Sequence, residues 1–174
     1  MLKKKNRGLY IGRFQPFHLG HFQALKWILK REDEVIIGIG SAQFSHTLKN
    51  PFTLGERIEM IYRVLREEKL LERTVIVGIP DTDKQHSTWV SLVKAFTPYF
   101  TRVYTNDPLS QILFRENNIE VSPIPFFNRE IYQATRIREM MINDQPWEDL
   151  VPKPVADVIK EINGVKRLKL LSKS

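Results

Sequence analysis

Short apolar runs at residues 8–11, 35–39, 74–79 and 102–105, with a weaker fifth at 119–121, alternate along this chain with segments of helical period. The helical segments are 19–30, with Phe22, Leu25, Trp27 and Leu29 on a wide apolar face, and 53–68, which opens on the capping-box pair Thr53 and Glu56. Shorter ones occupy 87–96 and 108–116. Strands that alternate with helices predict an α/β fold, a Rossmann-like, doubly wound parallel five-stranded sheet with ligands beyond the carboxyl ends of its strands. After Pro123 and Pro125 comes an aromatic loop, then helical patterns at 134–141 and 154–162 that Asn163-Gly164 ends. The closing run Val165 to Leu171 alternates basic and apolar residues and is expected to fray at its last residues. With no linker, repeat or low-complexity tract, one domain is expected over residues 1–174, its C-terminal helical part covering about 134–174.

The chain lacks cysteine, which excludes disulfides, thiolate nucleophiles, iron–sulfur clusters and Cys-ligated zinc. At 174 residues folding buries roughly 70% of the extended surface, so no covalent staple is needed. The basic start, Met1 to Arg7, runs into a strand-like segment and Arg13 rather than an apolar core and cleavage site. No apolar stretch approaches the ~18 residues of a membrane span, so a cytoplasmic protein without a membrane partner is expected. Lys and Arg total 27 against 20 Asp and Glu, a net charge of +7. That charge suits polyphosphates, nucleic acid or a solvated lysine-rich surface. A nucleic-acid-binding module would use Lys3-Lys4-Lys5 and Lys166-Arg167, but no reader helix or aromatic platform accompanies them, and no nucleic-acid partner is expected.

The densest chemistry lies in Gly12-Arg13-Phe14-Gln15-Pro16-Phe17-His18-Leu19-Gly20-His21, which leaves the first strand, turns at a proline and enters the first helix. Free N–H groups and the positive end of the dipole at a helix start favour an anion, and Gly20 permits a phosphate close to the backbone. His18 and His21, three apart, project to one side and can donate to a single phosphoryl group, with Arg13 as a permanent charge. Taken as a bare pair, the histidines read sooner as surface residues or helix caps; the glycine, arginine and proline turn directly after the first strand shift the reading to a phosphate site. His46 and His86 are scattered, without ligand-like spacing, so no histidine metal site is expected.

These residues resemble the His-x-Gly-His signature of the nucleotidyltransferase superfamily, and more closely the archaeal-type nicotinamide-nucleotide adenylyltransferases. The resemblance extends through Gly40 to Thr47, Asn50 to Arg57, Trp89-Val90, Leu113-Phe114, Phe127 to Arg129 and Glu161 to Val165. It implies transfer of the AMP part of ATP to nicotinamide mononucleotide (NMN), giving NAD and pyrophosphate, with Mg2+ on the ATP phosphates and a homo-oligomeric assembly. It gives His18, His21, Arg13 and Arg138 to the reacting phosphates. Gly12, Phe14, Gly20, Arg129, Thr135 and Arg136 fall to ATP. A late helix start, Tyr132 to Arg138, carries the second phosphate motif in Thr135 and Arg138, while Gln133, Ala134 and Arg136 depart from the usual pattern.

For the mononucleotide the resemblance gives Trp89, against the nicotinamide ring, and Lys49, where relatives carry arginine. An aspartate after Ile79-Pro80 falls on Asp83 counted forward, with Asp81 competing because the loop is one residue short counted back from Trp89. Ser41, Gln43 and Asn106 follow the ends of the second and fourth strands, where a mononucleotide ligand is expected, although Asn106-Asp107-Pro108 also reads as a plain turn and helix start. The same fold with FMN, phosphopantetheine or a glycerol phosphate as acceptor is the alternative enzyme, disfavoured by the Trp89 region and the C-terminal third.

Overall fold

The computed structural model describes residues 5–174; Lys3, Lys4 and most of the basic start lie outside the described residues. Five strands, β1 (Arg7–Gly12), β2 (Glu34–Ile39), β3 (Thr74–Gly78), β4 (Arg102–Tyr104) and β5 (Glu120–Ser122), form one sheet of order β3-β2-β1-β4-β5. Every neighbouring pair is parallel, with Leu9 opposite Ile36 on one side and Val103 on the other. The seven α-helices are α1 (Leu19–Leu29), α2 (Leu54–Glu67), α3 (Trp89–Phe96), α4 (Pro108–Glu116), α5 (Ala134–Ile142), α6 (Lys153–Glu161) and α7 (Gly164–Leu171).

Strand side chains alternate between two cores. Tyr10, Val35, Ile37 and Ile39 meet Leu25 and Ile28 of α1 and Met60 and Ile61 of α2. Leu9, Ile36 and Val103 meet Val90 and Val93 of α3 and Phe114 of α4. The first two crossovers run outward from β1 on one face, and the next two run the other way on the opposite face, which gives the double winding. The order therefore reverses between β1 and β4, and a crevice opens there beyond the strand ends. α2 starts with the expected box: Thr53 Oγ1 accepts from Glu56 N–H and the Glu56 carboxylate accepts from Thr53 N–H.

The C-terminal third differs from expectation at its end. Asn163 takes a left-handed conformation (φ 55°) for one residue, and the chain then resumes as α7 instead of a fraying tail. Gly164 and Leu168, four apart, face the core; a Cβ on Gly164 would stand 2.9 Å from the Phe52 ring, so glycine admits that close approach. Arg167 fastens α7 to the start of α2, donating to both Glu56 carboxylate oxygens (2.7 and 2.8 Å) and to the Pro51 carbonyl.

Candidate active site

The β1–α1 loop delivers both histidines to the crevice. His18 is the N-cap of α1; its Nδ1 accepts from His21 N–H (3.2 Å), and His21 Nδ1 accepts from His18 N–H (3.1 Å). The rings stack 3.5 Å apart at 16°. An acceptor nitrogen carries no proton, so each neutral ring holds its proton on Nε2, a donor free for a ligand. Burial pulls His18 down to about 4 and His21 well below its ordinary value, with the His18 charge adding at His21, so both are neutral at pH 7. Gly20 serves this pair: a Cβ there would stand 3.0 Å from the His18 ring and from Tyr132 Cβ.

Arg13 lies within electrostatic reach of two further guanidinium groups, those of Arg57 and Arg138. Arg13 is exposed, while Arg57 and Arg138 are buried. Arg57 donates to the carbonyls of Thr53, Arg13, Gly40 and Ser41, which ties together the ends of β1 and β2 and the start of α2. Arg138 donates to the carbonyls of Leu48 and Gln15 and, at 3.4 Å, to Thr135 Oγ1. Burial, then the Arg13 charge, lowers both, Arg57 to about 10. Carbonyl partners satisfy the donors, and the Glu56 and Glu139 carboxylates offset part of the charge on Arg57 and Arg138 respectively.

The β1–β4 crevice encloses about 620 Å3 and is lined by Gly12, His18, Gly20, His21, Asn106 and Thr135 among others. Arg129 lines it too, its guanidinium 5.0 Å from the Phe126 ring centroid. Four residues expected at the phosphates make contacts of their own within the protein. Phe14 is buried, edge-on to His21 at 4.9 Å, so its side chain supports the histidine instead of meeting a ligand. Arg136 turns away, donating to the Glu130 carbonyl and lining a separate hollow with Glu139 and Asn143. Arg138 is engaged by the two loops it joins, and Gly12 makes room for the Phe14 ring, 2.8 Å from its would-be Cβ.

A second, smaller hollow of about 150 Å3 lies between the β3–α3 loop and α4, lined by Asp81, His86, Trp89, Leu109, Ser110 and Leu113. The Trp89 indole N–H is buried without a hydrogen-bond partner. Asp81 lines this hollow and Asp83 does not: the Asp81 Oδ2 accepts from Ser41 Oγ, its Oδ1 from Asp83 N–H, and its backbone pairs with the Gln43 amide. Asp83 is exposed in a left-handed turn (φ 50°). Ser41 and Gln43 thus brace Asp81. Asn106 belongs with the histidine crevice, its amide exchanging two hydrogen bonds with the Ile124 backbone, and Lys49 is exposed on the β2–α2 loop.

Two structuring residues escaped the sequence reading. Arg57 had a signal, since it shares the apolar face of α2 with Met60, Ile61 and Val64, an odd place for an unneeded charge. Gln15, whose amide exchanges two hydrogen bonds with the Phe52 backbone, stood inside the Gly12 to His21 motif without a role of its own. Among the described residues no group of three or more His, Asp or Glu is arranged to hold a metal ion, and no helix is long and apolar enough to cross a membrane.

Residues 9–140 match the cytidylyltransferase-like family. The nicotinamide-nucleotide adenylyltransferase of Pyrococcus abyssi is 51% identical over 166 residues, 95% of this chain and 89% of its own length. That of Thermoplasma acidophilum is 51% identical over 170 residues, 98% of this chain and 94% of its own. Among solved structures, a bifunctional NMN adenylyltransferase/ADP ribose pyrophosphatase from Francisella tularensis, complexed with AMP and a manganese ion, superposes with a TM-score of 0.78. At 23% identity over 96% of this chain and 52% of that one, this likeness speaks for the fold alone.

Proposed function

The chain belongs to the cytidylyltransferase-like family and, within it, to the nicotinamide-nucleotide adenylyltransferases, and from that premise we propose which of its residues carry the reaction. The reaction is adenylyl transfer from ATP to NMN, giving NAD and pyrophosphate, a step of NAD biosynthesis. An oxygen of the NMN 5′-phosphate attacks the α-phosphorus of ATP, a new P–O bond forms, the α–β bridging bond breaks, and pyrophosphate leaves with the electron pair. Such a step asks the protein chiefly for positioning and charge stabilisation.

In our reading ATP occupies the crevice at the β1–β4 switch point, its phosphates against the start of α1. The supporting observation is the reciprocal cap: with both Nδ1 atoms occupied, the Nε2–H groups of His18 and His21 are preorganised donors for non-bridging phosphoryl oxygens. Arg13 faces the same anion, and the buried charges of Arg57 and Arg138 add a field that needs no rearrangement during reaction. Thr135 and Arg129 line the same cavity, and NMN extends toward Trp89 and Lys49.

The crevice offers N–H donors and positive charge, not a carboxylate set, so the Mg2+ we propose is carried by the ATP phosphates, where it screens their charge. We further propose a homo-oligomer, supported by exposed Phe96, Leu109 and Ile112 on α3 and α4, and a cytoplasmic enzyme, where ATP and NMN are at hand. Light scattering of the purified protein tests the assembly.

The function is tested by incubating the protein with ATP, Mg2+ and NMN, with FMN and phosphopantetheine in parallel. NAD is the expected product. Turnover of another acceptor with NMN inert would overturn the acceptor, and no turnover at all would overturn the reaction.

A further inference from the structure

We propose that Gln15 is a positioning residue for the reaction, holding the loop that carries His18 and His21 in fixed register with α2 and α5 while touching no substrate itself. This rests on the reading that the two Nε2–H groups meet the phosphates.

Gln15 stands three residues before His18, is buried, and is not among the residues that line the crevice. A buried amide has to find partners for both its N–H and its oxygen. Its Nε2 donates to the Phe52 carbonyl at 3.0 Å, and its Oε1 accepts from the Phe52 N–H at 2.9 Å. Two bonds to the backbone of one residue fix the plane of the amide as well as its place, where a single bond would let it swing.

The partner is itself held. The Phe52 ring is buried against Gly164 of α7, and the Pro51 carbonyl before it accepts from Arg167. On its other side Gln15 is held through its own carbonyl, which accepts from Arg138 Nη1 at 2.8 Å, while Arg138 Nε donates to the Leu48 carbonyl at 2.9 Å. Gln15, Phe52, Leu48 and Arg138 thus close a ring of bonds through three segments up to 123 residues apart.

The ring bears on the histidines because of how they are fixed. Each Nδ1 is engaged by a backbone N–H at the start of α1, so the direction of each Nε2–H follows the backbone of this loop. Displacing such a donor by about 1 Å costs on the order of 10²-fold in rate. If Gln15 only filled space, a side chain of equal length without an amide would serve as well. If its bonds set the register, that side chain strands the Phe52 N–H and carbonyl and lets the loop shift.

The test is Gln15→Met, which keeps the length and removes both side-chain bonds. Melting temperature, kcat, the KM values for MgATP and NMN, and long-range 1H–15N spectra of the histidines are compared with wild type. The folded variant is expected to lose at least about tenfold in kcat with both KM values within about threefold, because the loss falls on the transition state. Its His18 and His21 signals are expected to shift or broaden. A variant that melts lower but keeps the wild-type kcat and histidine spectra overturns the proposal, since a purely structural residue would behave that way. A raised KM at unchanged kcat overturns it too. Should Gln15→Met fail to fold, the wild-type protein decides: Gln15 side-chain N–H groups protected from solvent exchange uphold the lock, and exchange at the rate of an exposed amide overturns it. If wild type makes no NAD, the assigned reaction fails, and the histidine spectra of Gln15→Met, which need no substrate, decide this inference separately.

Discussion

The imidazoles of His18 and His21 hold each other's backbone N–H at Nδ1, 3.2 and 3.1 Å, with the rings 3.5 Å apart. A helix start ordinarily closed by Ser, Thr, Asp or Asn is closed here by two rings that keep a second nitrogen for other work. Folding thus fixes the tautomer that the proposed chemistry requires.

The tautomer is directly observable. At pH 7 long-range 1H–15N spectra are expected to show His18 and His21 neutral with the proton on Nε2. An Nδ1–H tautomer or an imidazolium in the free protein would contradict the arrangement.

Acid stability follows from the same burial. Above pH 6.5 His18 is neutral folded and unfolded, and its contribution is fully present. As pH falls from 6.5 toward 4, the unfolded chain takes up a proton the native state refuses, and about 3 kcal/mol is lost at this site, with His21 acting in the same direction. Chemical denaturation between pH 7 and 4.5 is expected to show His18→Asn losing less stability than wild type over that interval.

Gly20→Ala separates stability from turnover. Alanine gains roughly 1 kcal/mol of helix propensity, but its Cβ lands 3.0 Å from the His18 ring and Tyr132 Cβ. The melting temperature should move little while kcat falls at least about tenfold, because a displaced donor loses the developing charge. Unchanged kcat would mean that the His18 ring position is not used.

The arginines divide by placement. Arg13→Ala should lower kcat/KM by about 10²-fold, whereas Arg136→Ala, which faces the Glu130 carbonyl, should stay within about threefold. The two effects reversed would place the phosphates on the other side of α5.

Arg57→Met strands the carbonyls of Arg13, Gly40, Ser41 and Thr53 beneath the crevice. A loss on the order of 3 kcal/mol is expected, roughly 6–12 °C in melting temperature for a chain of this size, read by calorimetry.

Local signals carried most of the architecture. The apolar runs mark β1 to β3, Thr53 and Glu56 mark α2, and the alternation of elements leads to the sheet. What was not legible depended on contacts distant in the chain. α7 looked like a basic–apolar alternation because its anchors, Glu56 and Phe52, lie more than a hundred residues earlier. The bracing of Asp81 depends on the side chain of Ser41, forty residues away, and the outward turn of Arg136 depends on the Glu130 carbonyl. Phe14 was placed with ATP by its position in the motif, yet the motif's backbone buries it under His21.

The His18–His21 pair is proposed to stabilise the phosphoryl group in transfer. The most direct test of this role is single-turnover NAD formation from MgATP and NMN by wild type and His21→Ala, with the fold of each followed by thermal melting. The expected variant still folds but forms NAD at least about 10²-fold more slowly. A folded His21→Ala that makes NAD at the wild-type rate would contradict it.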